Sequence, residues 1–90
     1  TPPPEPMGKG CVYVAPSSDG PVIAITGRDQ RGVLLKITQA FFLMDVNILR
    51  GQIETVEGEI RNTFFADESD RRFASADFRR QLAHELSSLL

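Results

Sequence analysis

Tryptophan is absent from this 90-residue sequence, and cysteine and histidine occur once each. A lone Cys11 excludes an internal disulfide framework, and with only His84 beside it there is no zinc-ligand set. Long apolar runs are missing as well: a stretch such as Ala40 to Met44 is far short of a bilayer span, and no basic start followed by an apolar centre marks a cleavable signal. Neither sign of charge dominates. Ten Lys and Arg against twelve Asp and Glu give a net charge of -2, which provides no electrostatic footprint for a phosphate backbone or an anionic membrane. There is no serine nucleophile elbow and no phosphate-cradling loop ending in Lys-Ser or Lys-Thr. These absences predict a non-enzymatic protein without metal or cofactor, with neither nucleic acid nor membrane as partner. The expected compartment is reducing and aqueous: the cytoplasm, or alternatively the chloroplast stroma.

Four of the six prolines and two of the seven glycines fall in residues 1–10, which predicts a flexible, extended leader ahead of a single domain over residues 11–90. A domain of this length buries only a modest core, near the size at which burial just offsets conformational entropy. Added stability from a partner subunit is therefore expected.

The chain is organised around residues 22–35, a β-branched run Val22-Ile23-Ala24-Ile25-Thr26, a polar turn from Gly27 to Arg31, Gly32, and the apolar start of a helix. Before it, Cys11 to Val14 is β-prone and is followed by the turn-rich Pro16 to Pro21, so it reads as a hairpin partner of the Val22 strand. A helix is predicted from about Gly32 to Met44, with Val33, Leu34, Ile37, Ala40, Phe41 and Met44 on its core face. Leu35, Phe42 and Leu43 fall outside that stripe. Three large apolar residues there are expected to bury against a partner, and they form the candidate interface.

Asp45 to Ile48 ends the helix and opens a strand running to Thr55, in which Ile48 and Ile53 sit in opposite phases of the two-residue alternation. A bulge near Arg50-Gly51 is the economical repair. Glu57-Gly58 reads as a hairpin turn and Glu59 to Ala66 as the return strand, with the adjacent Phe64 and Phe65 on opposite sheet faces. Asp67 to Arg72 is expected to be a loop, after which Ser75 or Asp77 caps a second helix with Phe78, Leu82, Leu86 and Leu89 inward.

From Val22 onward the order and spacing resemble the ACT domain, a small ferredoxin-like regulatory module of amino-acid metabolism. Its pattern is a strand, an Asp-x-Pro-Gly-Leu-Leu-like turn, a helix and Gly-x-Asn-Ile, which stand here as Val22 to Thr26, Asp29-Gln30-Arg31-Gly32-Val33-Leu34-Leu35 and Asp45-Val46-Asn47-Ile48. The leading strand, the TGRDQRGVLL turn and the FFADESDRRF stretch are most similar to the ACT domains of the bacterial uridylyltransferase/uridylyl-removing nitrogen sensor and of plant ACT-repeat proteins. The resemblance implies an α+β, ferredoxin-like domain with an antiparallel four-stranded sheet and two helices on one face. No residues remain for the last strand of that fold. The Cys11 to Val14 strand is expected in its place, the rival being an edge supplied by another chain.

The same resemblance implies binding of a small amino acid, dimerisation, or both, in amino-acid or nitrogen metabolism. The implied ligand residues are Asp29, Gln30, Arg31, Gly32, Val33 and Leu34 of one subunit with Asn47 and Ile48 of another, in a homodimer or higher oligomer. The chemistry is compatible with that reading, since a strand ending in a turn that opens a helix exposes amides suited to a carboxylate, and Asp29 can cap the helix or meet an ammonium. Equally, Asp29 and Gly32 can simply make a good turn and Asn47 a helix end. Two residues depart from the family pattern: Arg31 stands in place of proline, and Asp45-Val46 in place of the glycine before Asn-Ile. A pure oligomerisation module is the alternative. A second is an acylphosphatase-like hydrolase using Arg28 or Arg31 with Asn47, although that family's glycine-valine-rich loop is absent. An RNA-binding sheet with Tyr13 and Phe65 as stacking residues lacks the basic surface such recognition needs.

Overall fold

In the computed structural model, residues 10–90 are described, so the expected leader lies, apart from Gly10, outside the described residues. The chain forms β1 (Cys11–Ala15), β2 (Val22–Arg28), α1 (Val33–Leu43), β3 (Ile48–Gln52), β4 (Thr55–Val56), β5 (Glu59–Ala66), a 3-10 turn (Arg71–Ala74) and α2 (Ala76–Ser87). All strand pairs are antiparallel, in the order β1-β2-β5-β3, with β4 also on β5. The architecture is thus α+β, an antiparallel sheet with two helices.

The alternation in β2 decides how the sheet faces its helices. Ile23 and Ile25 are fully buried while Val22, Ala24 and Thr26 are half-buried, and on β5 the buried set is Ile60, Asn62, Phe64 and Ala66. Register places Ile23 opposite Phe64 and Ile25 opposite Asn62, so these side chains share one face. Ile37 and Phe41 of α1 and Leu82 and Leu86 of α2 complete the same core. Phe41 meets Phe64 edge-on with ring centroids 5.1 Å apart. Each such side chain contributes about 1.5–3 kcal/mol of burial. Phe65 lies on the opposite face, as the adjacent-residue argument requires.

The N-terminal hairpin is present: β1 pairs β2 from Cys11↔Thr26 to Ala15↔Val22. Ser75 is the cap of α2, its hydroxyl accepting the Phe78 amide at 3.3 Å. Four expectations need correction. The sheet has five strands rather than four, because the Ile48 to Thr55 run breaks where Ile53 and Glu54 leave the ladder. There Asn62, buried, accepts the Glu54 amide through Oδ1 at 3.3 Å, a side chain standing in for a backbone partner. The register shift falls between Ile48 and Arg50, one residue earlier than expected, and Gly51 then passes over Phe64, where a Cβ would come within 3.0 Å of the ring. The shift leaves Ile48 half-buried while Ile53 remains 53% exposed.

The third correction concerns Leu34, which is 38% exposed and off the buried stripe of Val33, Ile37 and Phe41. The fourth concerns the expected loop from Asp67, which tightens into the 3-10 turn at Arg71 and inserts Phe73 into the core.

The end of α1 is closed by backbone geometry. Asp45 has φ 55, the Val46 amide donates to the Phe41 carbonyl at 2.8 Å, and the Asp45 amide donates to that of Phe42 at 3.1 Å. This is a Schellman motif with Asp45 in the left-handed position and Val46 packed, like Phe41, in the core.

Candidate functional site

The turn after β2 is built by its neighbours. Glu57 and Gly58 both have positive φ, as a two-residue hairpin between β4 and β5 requires, and the Gly58 carbonyl accepts the Asp29 amide at 2.8 Å. The Gln30 carbonyl then accepts the Val33 amide at 3.1 Å. Gly32, the residue before α1, has φ 77, and an added Cβ there would meet nothing within 4 Å. Conformation rather than crowding therefore explains the glycine at this position.

Asp29 does not cap α1: the helix has no side-chain cap, a correction to the capping role expected of that carboxylate. Register explains it, because Asp29 is held against Gly58 while the chain needs three more residues to enter the helix. Asp29, Gln30, Arg31 and Gly32 are all exposed, with Gln30 Nε2 donating to the Leu90 carbonyl at 3.2 Å. Among the described residues, the Leu34 and Leu35 amides find no backbone acceptor outside the helix, as expected for a first helical turn. Val33 is a core residue and contributes only its backbone to the surface.

Asn47 and Ile48 are not brought to this turn within one chain. The 11-residue α1, ~16 Å long at 1.5 Å per residue, lies between. They stand at the opposite end of the sheet, where the Asn47 carbonyl accepts the Asp67 amide at 3.0 Å. The same separation keeps Arg28 and Arg31 away from Asn47 within a chain, so the arginine-asparagine pairing of the hydrolase alternative is not assembled there.

The structure of the 67–73 segment has no direct signal in its residues beyond their polar, loop-like character. Asp67 accepts the Ser69 amide and hydroxyl, both at 2.9 Å, and these bonds, with a weaker one from Asn47, hold its carboxyl below the ordinary carboxylate range. Arg72 donates from Nη1 to the Met44 carbonyl at 2.9 Å and from Nη2 to the Asp45 carbonyl at 2.7 Å, satisfying the end of α1. It also forms a two-pronged pair with Asp70 at 2.9 and 2.7 Å and lies 4.7 Å over the Phe78 ring. The pairing lowers the pKa of Asp70 and raises that of Arg72.

A second surface runs along α1. Leu35, Phe42 and Leu43 are 61%, 83% and 81% exposed, and Leu49 of β3 and Ile53 just after it are exposed as well. Between helix and edge is an apolar groove of about 240 Å³ bounded by Thr38, Phe41, Phe42, Val46, Ile48 and Phe64. On the bare face of the sheet, Tyr13 is exposed, while the Phe65 ring is covered by the Arg50 guanidinium, 4.2 Å from its centroid.

Among the described residues, no three His, Cys, Asp or Glu side chains converge on a possible metal position, and no helix is long and apolar enough to cross a membrane. Compared with known proteins, the chain matches no family model, no curated protein and no solved structure.

Proposed function

We propose that this chain is a ferredoxin-like regulatory domain of ACT type, which dimerises and senses a small amino acid in amino-acid or nitrogen metabolism. The observation that carries the reading is the strand order β1-β2-β5-β3 joined to the Gly32 turn. In that order the N-terminal strand occupies the position of the last strand of a βαββαβ fold, and the turn of the motif stands at the mouth of α1. The ligand carboxylate lies at the Leu34 and Leu35 amides of the first helical turn, with Asp29 available to its ammonium.

The reading includes a two-fold, antiparallel pairing of β3 with its copy. It carries the partner subunit's Asn47 towards the end of the sheet that holds the 28–34 turn, so residues separated within a chain approach each other across the seam. The exposed Leu35 and Phe42 side of α1 flanks that seam.

The test is calorimetric titration of the common amino acids, paired with thermal melting. Binding with an upward melting shift for one or a few of them is expected, reduced in Asp29→Ala. No heat and no shift for any of them removes the sensing role. The alternative, an oligomerisation module without ligand, is favoured by the apolar area on α1 and the β3 edge. It predicts a stable dimer whose light scattering is the same with and without amino acids.

A further inference from the structure

The two edges of the sheet differ in chemistry. The β3 edge is flanked by apolar side chains, whereas β1 is bordered by cations. Among the described residues β1 pairs only with β2, so alternate N–H and C=O groups along its other side have no ladder partner there. The strand has no charged residue of its own to blunt that edge. Beside it runs α2, and the two enclose a groove of about 360 Å³ lined by Val12, Tyr13, Val14, Arg79, Arg80 and Ala83.

Arg79 is positioned by a bond from its Nη1 to the Phe73 carbonyl at 2.6 Å, and Arg80 pairs with Asp77 one turn earlier. Each guanidinium has one partner within the chain, and among the described residues Arg79 and Arg80 line the groove while no carboxylate does, so its lining carries positive charge only. Register puts Val12 and Val14 on the helix side of β1, opposite Ile25 and Ile23, and Tyr13 on the bare face.

We propose that this groove receives an extended acidic segment of another protein, which adds to β1 as a further strand. Backbone pairing along the open edge supplies affinity, and alternate side chains supply specificity. Carboxylates at every second position meet Arg79 and Arg80, and the apolar residues between them lie beside Tyr13. A second copy of this chain fits poorly, because two-fold pairing of β1 brings four arginines of two α2 helices to one seam. The chain's own leader fits poorly too: Pro2, Pro3, Pro4 and Pro6 lack the amides a ladder needs.

The probe is an acetylated, amidated, fluorescently labelled eight-residue peptide alternating glutamate with valine, followed by fluorescence anisotropy. Saturable binding that weakens with salt is expected, with none for the matching lysine-valine peptide. Arg80→Glu, an exposed substitution whose fold is checked by thermal melting, should weaken binding about fivefold or more. Hydrogen exchange should slow in residues 11–15 and remain unchanged in residues 48–52. The proposal is overturned by absence of binding at low salt, by affinity indifferent to Arg80→Glu, or by protection that appears on β3 instead.

Discussion

Arg72 ties its own neighbourhood, the Asp70 carboxylate and the Phe78 ring of α2, to the distant Met44 and Asp45 carbonyls just past the end of α1. Its side chain is 42% exposed, so the charge pair itself is discounted for solvent screening, and most of its value lies in the helix-end carbonyls it satisfies. Arg72→Ala should lower stability by about 1–2 kcal/mol, read as a fall in urea midpoint with unchanged slope. Asp70→Asn separates charge from capping, since asparagine retains an acceptor for the Arg72 amide. Asp70 has its pKa lowered in the folded state, so its contribution is present above the unfolded carboxylate value of about 3.9 and is lost as pH falls through the lower folded value. The stability gap between wild type and Asp70→Asn should therefore be full at neutral pH and close below about pH 4. A gap that persists unchanged in acid would assign the effect to something other than the carboxylate.

At the level of elements, how α1 ends matters as much as how it begins. Both ends use a left-handed residue, Gly32 at the start and Asp45 at the finish, and only the first is a glycine. An aspartate tolerates that conformation better than most residues but still bears a cost that glycine avoids. Asp45→Gly should raise stability by about 0.5–1 kcal/mol, measured by thermal melting. A loss instead would mean that the carboxylate has a role in the Arg72 network beyond its carbonyl. The helical faces themselves were readable from sequence, because Ile37, Phe41, Leu82 and Leu86 repeat at the helical period and are buried as expected. The capping of α1 was less readable. Asp29 looks like a cap by residue type, but the hairpin turn at Glu57-Gly58 takes its amide and fixes it outside the helix. Likewise, nothing local marks Asn62 as the residue that accepts the Glu54 amide and divides β3 from β4.

For the whole molecule, the proposed dimer rests on the exposure of Leu35, Phe42 and Leu43. If α1 and the β3 edge form the seam, Phe42→Asp should convert a dimer to a monomer in light scattering. It should also remove the dependence of melting temperature on protein concentration, because mass action no longer stabilises the native state. A chain that is monomeric before substitution would exclude the seam. The sequence by itself determined the alternation of β2, the two helical stripes, the N-terminal hairpin and the opposite-facing Phe64 and Phe65, because each follows from a period or turn within a few neighbouring residues. Only the tertiary structure decided that the turn and Asn47 lie at opposite ends of the sheet, that Arg72 closes α1, that Phe73 enters the core and that β1 leaves an edge beside Arg79 and Arg80. Those features depend on which distant segments are packed together, and local patterns of hydrophobicity and turn chemistry hold no record of that.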